Sequence, residues 1–305
     1  MAFHFKRGEG VAVGIHRLLQ EQVDCSIQRF AECIHPGDSV HAVRKNIKKI
    51  RAILTLVRPH FESKAYRRET EILREISKLL APVRDTQVHL QTLKSLAAHL
   101  RIKRGDKSFA AIEHLLEMEC RKVRKIFFST HEDRKATKLL KAAKKGIAGL
   151  KIVKQKGDWK LLSHGIRDTY KCGKKGLLTG QEEGGAEEFH EWRKSVKRLW
   201  YQMRLLSPAW PVVIQALNDE LGRLGEDLGI DHDLFVLRTI IEELPASALS
   251  VKQREYLFRL IAKRQGELRR EALSLGKRIY YESPAQFCKR VGQYWEAWRG
   301  DLECV

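Results

Sequence analysis

The chain has 305 residues, with 58 Lys and Arg against 38 Asp and Glu and a formal charge of +20. A charge this far from zero exceeds what solubility requires and points to a polyanionic partner, whether nucleic acid, a phosphate polymer or a membrane surface. There is no run of about 18 apolar residues and no apolar leader in the first ten, so membrane spanning and secretion are not expected; six scattered cysteines without a C-x-x-C pair read as reduced thiols of a cytosolic protein.

Apolar residues recur with helical period, and nothing sustains the alternation that strands need, so the sequence predicts an all-α protein. Helices are expected over 9–34, 38–58, 61–100 and 107–130, then a basic helix over 132–154. A second series follows over 158–178, 186–206, 209–244 and 248–282, with a tail helix over 284–299. Pro36 and Pro59 bracket the second helix, and Pro208 with Pro211 closes its counterpart, where a missing N–H does least harm or ends a helix. Residues 181–188, Gln-Glu-Glu-Gly-Gly-Ala-Glu-Glu, lack an apolar period and read as an exposed loop. Its glutamates suit the positive N-terminal end of the helix that follows.

The second and seventh helices carry one pattern twice, about 149 residues apart: His41-Ala-Val-Arg44-Lys45-Asn-Ile-Lys48-Lys49 and His190-Glu-Trp-Arg193-Lys194-Ser-Val-Lys197-Arg198. At about 100° per residue, His41, Arg44, Lys45 and Lys48 form one stripe, opposite Val43, Ile47, Ile50, Leu54 and Val57. From His190, the residues Arg193, Lys194, Lys197, Tyr201 and Arg204 share a face, opposite Trp192, Val196, Leu199, Met203 and Leu206. A solvated helix usually intersperses acids at i,i+4. Here the first stripe has no acid after Asp38, and the second has only Glu191 within the motif. Like charges so close lower helix stability, which argues that something external neutralises them. Other segments keep the offset: Leu80-Ala-Pro-Val-Arg84-Asp85 with Leu228-Gly-Ile-Asp-His232-Asp233, Arg121 with Arg269, and His16 with His164. Four matches at 148 or 149 residues argue for an internal repeat that forms two similar lobes.

Residues 134–156 contain eight lysines and no carboxylate, and Lys138, Lys141 and Lys145 follow one helix face. Asp231-His232-Asp233 is the natural metal candidate. Adjacent helical residues point about 100° apart, however, and Arg84 stands at the position equivalent to His232, so no metal site is assigned. There is no G-x-S-x-G, no Walker loop and no cysteine with a recognisable base, and the stripes lack the carboxylates that hold Mg²⁺ for phosphoryl hydrolysis. Binding without catalysis or a cofactor is the expectation.

Five segments together resemble the CHAD family, the conserved-histidine α-helical domain. They are His41-Ala-Val-Arg44-Lys45 through Arg51, Leu80 to Asp85, Gly165-Ile-Arg-Asp-Thr-Tyr170, His190 through Tyr201, and Leu228-Gly-Ile-Asp-His232-Asp233-Leu. The resemblance spans nearly the whole chain. It implies one domain over 1–305 made of two four-helix bundles related by pseudo-two-fold symmetry, with a basic cleft or pore between them, and binding of inorganic polyphosphate. On this chain the parts would be a first repeat over 9–131, a basic linking helix over 132–157, a second repeat over 158–282, and a C-terminal helix and tail over 283–305. By position, His41, Arg44, Lys45, Lys48, Lys49 and Arg51 would line one side, and His190, Arg193, Lys194, Lys197, Arg198 and Arg204 the other. Arg121 and Arg269 would add charge from the fourth helix of each repeat, as would Lys138 and Lys141 from the link. The symmetry is incomplete: Trp200 stands opposite Arg51, Arg204 opposite Thr55, and His232 opposite Arg84.

Many relatives carry an attached triphosphate-tunnel domain with an E-x-E-x-K strand motif; Glu117-Met-Glu119-Cys-Arg121 is a poor match, and a stand-alone binding module is expected. Two alternatives stay open. One is nucleic-acid binding by the same groove, which the stripes support poorly because they offer few aromatic or Asn/Gln groups for bases. The other is a scaffold that recruits partners to polyphosphate granules. The expected location is the cytoplasm, such granules included.

Overall fold

The computed structural model describes residues 3–32, 36–103, 105–152, 157–245 and 247–300. Cys33, Cys304 and Lys154 lie outside these. The helices are α1 (Val11–Ala31), α2 (Pro36–Leu56), α3 (Ser63–His99), α4 (Lys107–Ser129), α5 (Glu132–Ala148), α6 (Asp158–Glu182), α7 (Ala186–Leu205), α8 (Pro211–Glu243), α9 (Val251–Ile279) and α10 (Pro284–Gly300). Short 3-10 turns at Arg58–His60 and Ser207–Ala209 follow α2 and α7. Among the described residues there is no strand, only an isolated bridge between Phe61 and Ile152. The all-α expectation therefore holds, and each expected helix has an observed counterpart.

Local chemistry sets several ends. Asp106 accepts from the backbone N–H groups of Ser108 and Phe109 at the start of α4. Ser250 and Gln253 form a capping box on α9, and Pro211 occupies the first turn of α8. Two boundaries differ from expectation. The basic helix predicted over 132–154 stops at Ala148, with Gly149 as its C-cap, so Lys151 lies beyond it. Helix α6 continues to Glu182, and the turn into α7 is made by Gly184 at φ +65°, which removes part of the expected acidic loop. Glu187 and Glu188 do sit in the first turn of α7.

The apolar stripes read from the sequence are buried. Val43, Ile47, Ile50, Leu54 and Val57 of the first segment, and Trp192, Val196, Leu199, Met203 and Leu206 of the second, join one large core. Helix α1 packs on α2 and α5, α6 packs on α7 and α10, and α2 lies directly against α7. The basic helix α5 is a packed element: it buries Ala136, Leu140, Ala143 and Ile147 against α1 and α3. A separate apolar cluster joins the distal part of α3 and α4 to α8 and α9 through Leu93, Ile112, Leu237 and Ile261. The chain start crosses over this framework. Phe5 donates its N–H to the Leu205 carbonyl at 3.0 Å, and its ring packs edge-on to Trp295. With their apolar faces committed to one core, α2 and α7 have their basic faces left to shape the surface between them.

Candidate anion-binding site

Between α2 and α7 lies a pocket of about 250 Å³ lined by Lys48, Arg51, Arg193, Lys194, Lys197 and Arg198, with Ala52, Thr55 and Tyr201 between them. Six cations and no carboxylate form its walls. Four of the lining cations, Arg193, Lys194, Lys197 and Arg198, come from α7, held outward by the buried Trp192 and Val196 on the opposite side of the helix.

The α7 row lies on a floor of glycines. A methyl group at Gly225 would fall 2.8 Å from Lys197 Cε, one at Gly229 would fall 3.4 Å from Arg193 Nε, and one at Gly222 would fall 3.4 Å from Trp200 Nε1. Spaced i, i+3 and i+7 along α8, these positions let the stems of α7 lie close against its backbone. Lys197 and Arg204 also sit over the Trp200 ring, each 5.0 Å from its centroid.

Burial, and after it the crowding of like charge, lowers the pKa values of Lys48, Lys197 and Arg51. Lys48 opens onto the pocket and keeps accessible surface, yet protein surrounds it on most sides. Burial first, then Arg193, Arg44, Lys197 and Arg84, pull its pKa down to about 8. Burial and Arg193 bring Lys197 down to about 8 as well, against the opposing pull of Glu226. Arg51 is lowered by burial and by Arg74 and Arg198. A bound anion would oppose each of these shifts by its charge.

The two histidines stand at corresponding ends of the stripes. His41 is lowered by burial and by Arg84, Lys45 and Lys48. His190 is lowered by burial, Lys194 and Arg193, and its ring stacks on His232 with centroids 4.1 Å apart. His232 falls to about 4, from burial and then His190, Arg193 and Lys194. His190 Nδ1 and Arg193 Nε are buried without a hydrogen-bond partner among the described residues.

The remaining sequence-derived candidates divide. Arg44 is anchored beside the pocket, donating to the Ser77 carbonyl at 3.2 Å and lying 3.6 Å from Asp85. Lys45 is exposed, and Lys194 is paired with Glu191 on its own helix. Lys49 turns away, donating to Gln22 Oε1 at 2.8 Å and lying over the Phe3 ring. Arg204 is half-buried over Trp200 and Phe3. Arg269, expected to add charge toward the anion, is instead committed to Asp231 at 2.8 Å and the Gly184 carbonyl at 2.9 Å, with Phe189 beneath it. Asp231 is buried, so its charge takes the nearest guanidinium. Arg121 folds back on Glu117 and Met118 of α4, and Lys138 and Lys141 are exposed on α5; none of the three lines the pocket.

Behind the pocket, α3 faces α8. Arg84 and Asp233 line a second cavity of about 340 Å³ together with Glu226 and Arg264, so charge there is mixed. Asp231, His232 and Asp233 do not converge: the first turns to Arg269 and the second to His190. Arg84 is the cationic neighbour of Lys48 that periodicity of the stripes alone missed, although it stands in the repeated Leu80 to Asp85 segment.

No helix among the described residues is long and apolar enough to cross a membrane. A comparison with curated proteins finds no match. Among solved structures, PptA from Streptomyces chartreusis is similar over 90% of this chain and 100% of that chain, with a TM-score of 0.65 at 12% identity. The CHAD domain from the plant Ricinus communis is similar over 90% of this chain and 95% of that chain, with a TM-score of 0.56 at 18% identity. Identities this low speak for the fold alone. The family model for the CHAD domain matches residues 17–242, and the chain therefore belongs to the CHAD domain family.

Proposed function

We propose that this protein is a non-catalytic binder of inorganic polyphosphate that holds the polymer in a basic cleft between α2 and α7. The carrying observation is the pocket walled by six cations and no carboxylate. Arg193, Arg198 and Arg51 offer planar forks to phosphoryl oxygens, and Lys48 and Lys197 act as point charges whose strained ionisation an anion relieves. A phosphate polymer needs no other recognition. The aromatic groups nearby are poor platforms for bases, since Trp200 is already covered by Lys197 and Arg204, and Tyr201 is buried. In this reading the cleft separates two halves related by pseudo-two-fold symmetry, α1–α5 and α6–α10. That grouping extends the expected four-helix bundles by one helix each, because α5 lies on α1 as α10 lies on α6. The protein acts in the cytoplasm, where such a polymer would meet it.

A competition titration at near-physiological salt tests the reading, setting long-chain polyphosphate against single- and double-stranded oligonucleotides matched in phosphate count. Preference for polyphosphate, weakened at least 100-fold in Lys48→Glu/Arg193→Glu but little in Lys122→Glu/Arg124→Glu, is the expected result. Equal losses from both pairs would reduce the site to general surface charge. Tighter oligonucleotide binding would move the reading to a nucleic-acid-binding protein.

A further inference from the structure

The cationic pocket does not end at Arg198. Thr55 and Arg198 also line a neighbouring cavity of about 500 Å³. Arg58, Tyr66 and Arg67 continue that cavity into a third of about 640 Å³, bordered by Arg68 and Arg74. Three concavities that share walls make one trough, running from α7 past the end of α2 and across the first turns of α3. Arg51 links its ends electrostatically, since both Arg74 and Arg198 bear on it.

Charge along the trough is unevenly answered. Of its two acids, Glu71 lies 3.2 Å from Arg74, and Asp168 lies 3.0 Å from His164, which offsets its charge only when the imidazole is protonated. Arg68 is tied to the buried Glu69 at 2.8 Å. Arg58 and Arg67, both exposed, have no carboxylate partner among the described residues. In the opposite direction, the cavity between α3 and α8 sets Glu226 and Asp233 among its cations, which repels an extended anion. A polyanion leaving the pocket thus meets favourable charge on one side only. Tyr66 does not offer a free ring to a base, being stacked with Phe61 and covered by Arg58.

We infer that this arginine trough is a second subsite for polyphosphate, which receives the part of a long chain that extends beyond the α2–α7 pocket and so makes affinity depend on chain length. The inference rests on the polyphosphate reading of the pocket. Arg58, Arg67 and Arg74 are its contacts, each able to bridge two phosphoryl oxygens.

The test compares tripolyphosphate with long-chain polyphosphate on the full chain carrying Arg58→Gln/Arg67→Gln/Arg74→Gln. The expected result is long-chain binding weakened about 10-fold or more, with tripolyphosphate affinity within about twofold of the unsubstituted protein. The salt slope for the long chain should fall by about one for each arginine removed. A triple of equal charge on α4, Lys122→Gln/Arg124→Gln/Lys125→Gln, controls for net charge and should leave both affinities nearly unchanged. Equal losses from the two triples would overturn the trough while leaving the pocket standing, provided Lys48→Glu/Arg193→Glu still abolishes binding. Failure of the unsubstituted protein to bind polyphosphate of either length would overturn the reading of the pocket and this inference with it. A trough variant that loses single-stranded oligonucleotide and polyphosphate equally, at matched phosphate count, would also overturn it.

Discussion

Gly225 lies directly beneath Lys197: a methyl group on its Cα would sit 2.8 Å from Lys197 Cε and 3.0 Å from Nζ. The atoms it would meet are the far end of a flexible side chain, so the fold can absorb the change by moving the lysine. Gly225→Ala should therefore keep or raise stability, since replacing a mid-helix glycine by alanine favours the helix by about 1 kcal/mol. Polyphosphate affinity should nevertheless fall several-fold as Lys197 is pushed from its seat. Denaturant unfolding and a binding isotherm on the same variant separate the two effects, and a loss of both together would place Gly225 in the core instead of under the site.

How much of this was legible in the sequence depends on which force places each residue. The stripes His41 to Lys48 and His190 to Lys197 are set by helical period against a buried apolar face, so the wheel alone finds them. Lys49 of the first motif and Arg269 of a separate repeated pair point elsewhere, because Gln22 and Phe3 capture the first and the buried Asp231 captures the second. Gln22 and Asp231 lie 27 and 38 positions from their cations in sequence, and Phe3 lies farther still from Lys49, beyond what periodicity reports. The row Gly222, Gly225 and Gly229 belongs to none of the motifs read from the sequence, and its meaning comes only from the antiparallel neighbour α7 that lies over it. Arg58, Arg67 and Arg74 belong to no repeated motif, and only tertiary packing brings them beside Arg198.

Proton linkage gives a second prediction. Lys48 and Lys197 have pKa values near 8 in the free folded protein, against about 10.4 for lysine in an unfolded chain. Between pH 8 and about 10.4 the unfolded chain binds more protons, so the contribution of these two groups to stability rises with pH across that window. Binding runs the other way. A polyanion raises both pKa values, so at pH 8 complex formation should take up on the order of one proton, and affinity should fall as pH climbs past 8. Calorimetry in two buffers of different ionisation enthalpy measures the uptake. Lys48→Met/Lys197→Met should remove it and raise the free protein's Tm by roughly 2 °C at pH 7; unchanged uptake would exclude these lysines as its source.

On the acid side the histidines act together. Burial and neighbouring cations hold His41, His190 and His232 below the ordinary histidine range, so near neutrality they add little charge. As pH falls from 7 to 5, a bound anion should draw protons onto His41 and His190 before the free protein takes them, tightening binding by about threefold or more. His41→Gln/His190→Gln should flatten that limb and leave the limb near pH 8 intact. A flattening of both would show that the substitution had disturbed the lysines as well.

Asp231 and Arg269 supply a test of structure against binding. Asp231 is 2% exposed and receives Arg269 at 2.8 Å, which ties α9 to α8, while a second guanidinium nitrogen reaches Gly184 in the turn before α7. Asp231→Ala removes the anchor and leaves the guanidinium without its carboxylate, so denaturant unfolding should show a loss of about 2–3 kcal/mol. Polyphosphate affinity of the folded fraction should change by less than about threefold, because Arg269 does not line the pocket. A large affinity loss at unchanged stability would return Arg269 to the binding surface.

Gly165 governs the seating of α2 itself. A Cβ on this residue of α6 would lie 2.0 Å from the Leu56 carbonyl oxygen and 2.7 Å from Leu56 Cα, so the obstacle is backbone and cannot rotate away. Gly165→Ala must push the last turn of α2 off α6, opening a core in which Leu56, Val57 and Ile166 are fully buried. The favourable helix propensity of alanine, about 1 kcal/mol, is smaller than the overpacking cost of about 1–3 kcal/mol or more expected for a rigid obstacle. The variant should therefore unfold at lower denaturant, unlike Gly225→Ala. Because Thr55 rides on the displaced turn where the pocket meets the arginine trough, with Arg51 one turn before it, long-chain polyphosphate should lose more affinity than tripolyphosphate in the molecules that remain folded. Proportionate loss for both lengths would mean that the turn moves without separating pocket from trough.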